Sequence, residues 1–100
     1  MQPAKRIEII ASSVELAKIL DGLDKSGVVG RTVISNVSGQ SSTGEMSDEL
    51  VNNFYIIAFC SRDRVNLLVE NIKPILDKFG GVCYLSDVME VQSINCVASV

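Results

Sequence analysis

The sequence predicts one α+β domain of ferredoxin-like βαββαβ type. Three observations carry that expectation. Two amphipathic helical stretches are each preceded and followed by β-branched apolar runs, and the halves repeat the same strand, helix, strand order. Glycines stand where each helix should stop. The length, 100 residues, is that of a single core, so residues 1–100 are expected to form one domain.

The first strand is Lys5 to Ala11, KRIEIIA, with Ile7 and Ile9 on one face. Ser12 and Glu15 have the spacing of a capping box, in which hydroxyl and carboxylate satisfy free N–H groups at a helix start. Leu16, Ile19, Leu20 and Leu23 then recur at helical spacing, and Gly27 closes a helix running from Ser13 to Ser26. Gly30 opens a second strand, Arg31 to Val37, rich in β-branched residues. The third strand, Asn53 to Cys60, is apolar on both faces and so should be covered on both sides.

Ser61 is expected to cap a second helix reaching Phe79, with Val65, Leu68, Val69, Ile72, Ile75, Leu76 and Phe79 in register. Pro74 removes the hydrogen bond to the Glu70 carbonyl, so a kink or break is expected there. Gly80 and Gly81 stop the helix, and a fourth strand covers Val82 to Val88. The tail from Val91 to Val100 is apolar enough for one more short strand. Right-handed crossovers then give a four-stranded antiparallel sheet with both helices on one face. The apolar residues of the other face call for a homo-oligomer.

Composition excludes several functions. Histidine is absent, which removes Ser-His and Cys-His nucleophile pairs and His-ligated metals. No catalytic or metal-ligating residue is therefore nominated. A net charge of -3 without a basic cluster argues against nucleic acid. Cys60, Cys83 and Cys96 lie far apart and read as buried reduced thiols on strands, in keeping with a cytoplasmic protein. No apolar run is long enough for a membrane span or a signal peptide.

The segment between the second and third strands, NVSGQSSTGEMSDELVN, is far longer than the usual two to five hairpin residues. Its insertion is placed at residues 38–50. Glu45, Asp48 and Glu49 are its only charges, and Met46 is its one large apolar side chain before Leu50. It reads either as a solvated insertion or as an arm that orders on a partner. In the second case Glu45, Met46, Asp48 and Glu49 are the partner-binding residues.

With a long loop at that position the chain resembles the PII signalling proteins, whose T-loop lies there, and within them the cyanobacterial SbtB group. The stretches KRIEIIASSVELAKILDGLDKSG, GRTVISNVSG, YIIAFC and KFGGVCYLSDVMEV carry the resemblance. It implies a non-enzymatic homotrimer binding an adenyl nucleotide (ATP, ADP, AMP or cyclic AMP) between subunits. It also implies a membrane partner, the sodium-dependent bicarbonate transporter SbtA, which would hold the protein peripherally at the inner membrane. The implied nucleotide site joins Thr32 and the loop base, Gly39, Gln40, Ser41 and Ser42, to the Gly80, Gly81 and Val82 turn of a neighbour. A bulky β-branched residue at Gly81 should then weaken binding in an assembly that stays folded.

Where related proteins carry a stretch like GKGSR, this chain has Gly39-Gln40-Ser41-Ser42-Thr43, without the phosphate-holding arginine. Acidic groups near a phosphate repel it. Binding should thus be weak, restricted to less charged ligands such as AMP or cyclic AMP, or lost. An amino-acid-binding regulatory domain of the same topology is the alternative function. An acylphosphatase is disfavoured because Ala11-Ser12-Ser13 lacks a phosphate-cradling arginine, and an RNA-recognition domain by the charge sign.

Overall fold

The computed structural model describes residues 1–28, 30–37 and 53–91. Strand β1 spans Gln2–Ser12, and a 3-10 turn, Ser13–Glu15, leads into helix α1, Leu16–Lys25. Strands β2 (Arg31–Val37) and β3 (Asn53–Cys60) follow, then a 3-10 turn (Arg62–Arg64), helix α2 (Val65–Phe79) and strand β4 (Val82–Glu90). The sheet order is β2-β3-β1-β4 with every neighbouring pair antiparallel, the expected ferredoxin-like arrangement.

Register decides what each face holds. Ile7, Ile9 and Ala11 of β1 stand opposite Ala58, Ile56 and Phe54 of β3, and all six are buried. Ile19 and Leu23 of α1 and Leu68 and Ile72 of α2 close over them. Each such side chain contributes roughly 1.5–3 kcal/mol by leaving water. The alternate residues of the same strands point away from the helices. There Ile34, Phe59 and Tyr84 are 46%, 42% and 60% exposed, so one chain leaves its third strand covered on one side only.

The helices approach closely at Gly22, where a Cβ would lie 2.8 Å from Ile72 Cδ1 and 3.2 Å from the Asn71 carbonyl oxygen. Beside it the buried Ser26 hydroxyl donates to the Gly22 carbonyl at 2.7 Å and accepts from Asn71 Nδ2 at 3.0 Å. That pair of bonds satisfies a polar group that would otherwise be costly inside the core.

Several local expectations are corrected. Ser12 ends β1 and caps the 3-10 turn as expected, its hydroxyl accepting from Val14 N at 3.4 Å, but the Glu15 carboxylate meets Lys18 Nζ at 3.2 Å instead of completing a capping box. Ser61 makes no side-chain cap; its hydroxyl donates to the Asp63 carboxylate, which holds that carboxyl below its ordinary pKa. Helix α2 runs without a break through Pro74, whose missing N–H leaves the carbonyl of Glu70, an exposed residue, without its helical donor. Cys60 and Cys83 are free and half-buried rather than buried. Among the described residues no helix is long and apolar enough to cross a membrane. Cys96 and the tail strand expected over Val91 to Val100 lie, beyond Val91 itself, outside the described residues.

Candidate functional site

Two of the three predicted pieces of the site can be placed. Thr32 is exposed on β2, an edge strand, with Ile57 of β3 as its register partner. The Gly80-Gly81 turn joins α2 to β4, the opposite edge. Strands β3 and β1 intervene, so at about 4.8 Å per strand spacing Thr32 and Val82 are on the order of 14 Å apart across the sheet. One chain does not bring them together. Gly39, Gln40, Ser41 and Ser42, with Glu45, Met46, Asp48 and Glu49, lie outside the described residues, as does the insertion at 38–50.

The two turn glycines do different jobs. The Gly80 N–H bonds the Leu76 carbonyl at 2.8 Å and ends α2, at φ 89° and ψ 169°. That combination is open essentially to glycine alone. A Cβ on Gly80 would meet nothing within 4 Å, so the outer side of the turn is free for another molecule to approach. Gly81, at φ 117°, is pressed onto β1: a Cβ would lie 2.8 Å from Ala11 Cβ and 3.0 Å from the Ile10 carbonyl oxygen. The expectation that a β-branched residue at Gly81 spares the fold is therefore corrected. Gly81 is a packing position, and Gly80 is the one with an open side.

Behind the turn, between α2 and β4, lies a cavity of about 330 Å³ lined by Leu68, Ile72, Leu76, Gly81, Cys83 and Leu85. Burial pushes the Cys83 thiol up to about 11 and raises that of Cys60, which favours the protonated thiol in both. Among the described residues no group of three or more His, Cys, Asp or Glu could hold a metal ion.

Sequence reasoning missed a polar group on the open face of the sheet. The Tyr55 hydroxyl donates to the Glu8 carboxylate, and Arg6 Nε stands 3.2 Å from Glu8 Oε1. The Glu8 bond raises the Tyr55 pKa by holding the phenol proton. Half of the signal was available, because opposite charges two residues apart in a strand share a face.

Comparison with known proteins follows the same fold. The chain matches the family described as nitrogen regulatory protein P-II over residues 4–95. No curated protein matches it. Among solved structures it is similar to CPII, a nitrogen regulatory PII-like protein from Thiomonas intermedia K12 bound to ADP, AMP and bicarbonate. That similarity has 32% identity over 86% of each chain and a TM-score of 0.74. It is also similar to the GlnK–ATP complex of B. subtilis, at 23% identity, 88% of this chain, 84% of that one and a TM-score of 0.65. A PII-like signalling protein from Thermus thermophilus gives 16% identity, 87% and 88% coverage and a TM-score of 0.68. The last two similarities concern the fold alone.

Proposed function

The chain belongs to the P-II family of nitrogen regulatory proteins, and from that premise we propose that it reads adenyl nucleotides in clefts between the subunits of a homotrimer. The observation that carries the reading is the position of Thr32 and the Gly80 turn on opposite edges of one sheet. A ring of identical chains sets the β2 edge of each copy against the β4 edge of the next, and every cleft then holds both pieces. The exposed apolar residues of the other sheet face supply the surface that assembly would bury. CPII, at 32% identity, is bound to ADP and AMP, which supports the same ligand class here. Family membership favours this reading over an amino-acid-binding domain.

In the cleft, Thr32 supplies a hydroxyl, Gly39 to Ser42 close backbone approach, and Gly80, Gly81 and Val82 of the neighbour a second wall. Calorimetric titration with ATP, ADP, AMP and cyclic AMP tests the site. The expected result is one saturable site per chain, with AMP or cyclic AMP bound at least as tightly as ATP, because no Lys or Arg lies between Asn36 and Asn52 to neutralise a triphosphate. Absence of binding by all four nucleotides would leave a PII-like protein that has lost nucleotide sensing.

The finer part of the proposal is the target. The resemblance to the SbtB group and the bicarbonate bound by CPII both point to inorganic carbon, and hence to control of a bicarbonate transporter of the SbtA kind. The protein would then be cytoplasmic and reach the inner membrane through that partner. Its single domain would use the insertion at 38–50 as the arm, pairing Glu45, Asp48 and Glu49 with basic groups and burying Met46. Ordering a Ser- and Gly-rich segment costs about 1–2 kcal/mol per residue, more than one methionine offsets, so the partner must supply the rest. Deleting Ser41 to Ser47 should leave the melting temperature nearly unchanged and abolish co-purification with the transporter. Retained co-purification would move the partner surface to the core.

A further inference from the structure

The sheet face away from the helices carries large apolar side chains around a charged pair on its central strand β1. By register Glu8 lies between Ile57 of β3 and Tyr84 of β4, and Arg6 between Phe59 and Ser86. The next residue on that face, Ile10, lies between Tyr55 and Val82. Arg6 and Glu8 thus form a charged island flanked by Ile57, Phe59, Tyr84 and Ile10. The island is already knit together. Tyr55 reaches diagonally across β3 and β1 to donate to one Glu8 oxygen, while Arg6 Nε faces the other at 3.2 Å. That Nε has no hydrogen bond of good geometry and is shut off from solvent, although 40% of the Arg6 side chain is exposed.

The charges of the island cancel within one chain. A face of this kind does not ask for a charged partner; it suits another copy of itself, which brings the same neutral group. We propose that Arg6, Glu8 and Tyr55 form a polar key that fixes how the sheet of one subunit seats on those of the next. The inference rests on the homotrimer proposed above. Apolar side chains alone are tolerant of sliding and rotation. A buried ion pair is not, because an arrangement that separates Arg6 from Glu8, or strands the unused Nε donor, leaves a charge in a dry interface. The group therefore contributes uniqueness of assembly more than strength, in the way a buried polar residue sets register in a coiled coil.

The experiment is light scattering behind a sizing column over a range of concentrations, with far-UV circular dichroism of every variant as the check on folding. Wild type should run at three times the 10.8 kDa chain mass. Glu8→Leu, which strands Arg6, should dissociate at a concentration on the order of a hundredfold higher. The all-apolar combination of Arg6→Met, Glu8→Leu and Tyr55→Phe should reassemble but with a broadened mass distribution. A Glu8→Leu protein that holds together as wild type does, or a triple variant with a single sharp trimer peak, overturns the key and leaves the trimer standing. A triple variant that stays monomeric also overturns it, since the group would then supply attraction rather than register. A wild-type monomer at micromolar concentration removes the trimer and the key together.

Discussion

Gly81→Val is expected to lower the melting temperature by more than about 10 °C, the largest loss of any single substitution in the turn. Two costs add. At φ 117° an L-residue is strained by roughly 1–3 kcal/mol. The new Cβ would also stand 3.0 Å from the Ile10 carbonyl and 2.8 Å from Ala11 Cβ, and neither can yield without moving β1, the strand paired on both sides at the centre of the sheet. Such overpacking costs about 1–3 kcal/mol more. For a domain of this length 1 kcal/mol corresponds to roughly 4–8 °C, and total stabilities are only about 5–15 kcal/mol. A Gly80 substitution meets the strain without the collision and should lose markedly less. Thermal unfolding by circular dichroism compares the two directly. Equal melting temperatures for Gly81→Val and wild type would mean that the turn relaxes away from β1.

The contrast between these glycines marks where sequence reading stops. Both residues announce the end of α2, and nothing local says which one carries the packing; that depends on Ala11 and Ile10, seventy positions earlier in the chain. Elements whose own pattern determines them were legible: β2 begins and ends where β-branching places it, and β3 where its continuous apolar run does. β1 begins earlier than KRIEIIA suggests, because Gln2, Pro3 and Ala4 are held by β4 partners Glu90, Met89 and Val88. For the same reason β4 runs on to Glu90. Pro74 misled because the lost bond and the ring clash act locally, whereas α2 is held on both sides of it by Leu68 and Ile72 before and Ile75 and Leu76 after, all in or against the core. The Arg6–Glu8 pair could be read from spacing, whereas its Tyr55 partner, on another strand, could not. Thr32 and the Gly80 turn were named from the family resemblance, and their separation on opposite edges needed the strand order.

That separation leads to a prediction with a numerical outcome. A Thr32→Glu chain spoils the β2 wall of a shared cleft, and a Gly80→Asp chain spoils the turn wall with a carboxylate that repels phosphate. Thr32 is exposed on an edge strand, so its substitution should change stability little. Gly80→Asp carries backbone strain of about 1–3 kcal/mol without a clash. Each variant alone should assemble as a trimer and bind no nucleotide. In trimers formed from an equal mixture, each cleft takes its Thr32 wall from one chain and its Gly80 wall from the next, so about one cleft in four receives both walls intact. Calorimetry should then recover roughly a quarter of the wild-type capacity at unchanged affinity, from two preparations that bind nothing separately. If either variant alone still binds, its residue is not part of the site. If both are silent and the mixture is silent too, each cleft draws both walls from one chain, and the position of Thr32 and Gly80 on opposite edges loses its functional meaning.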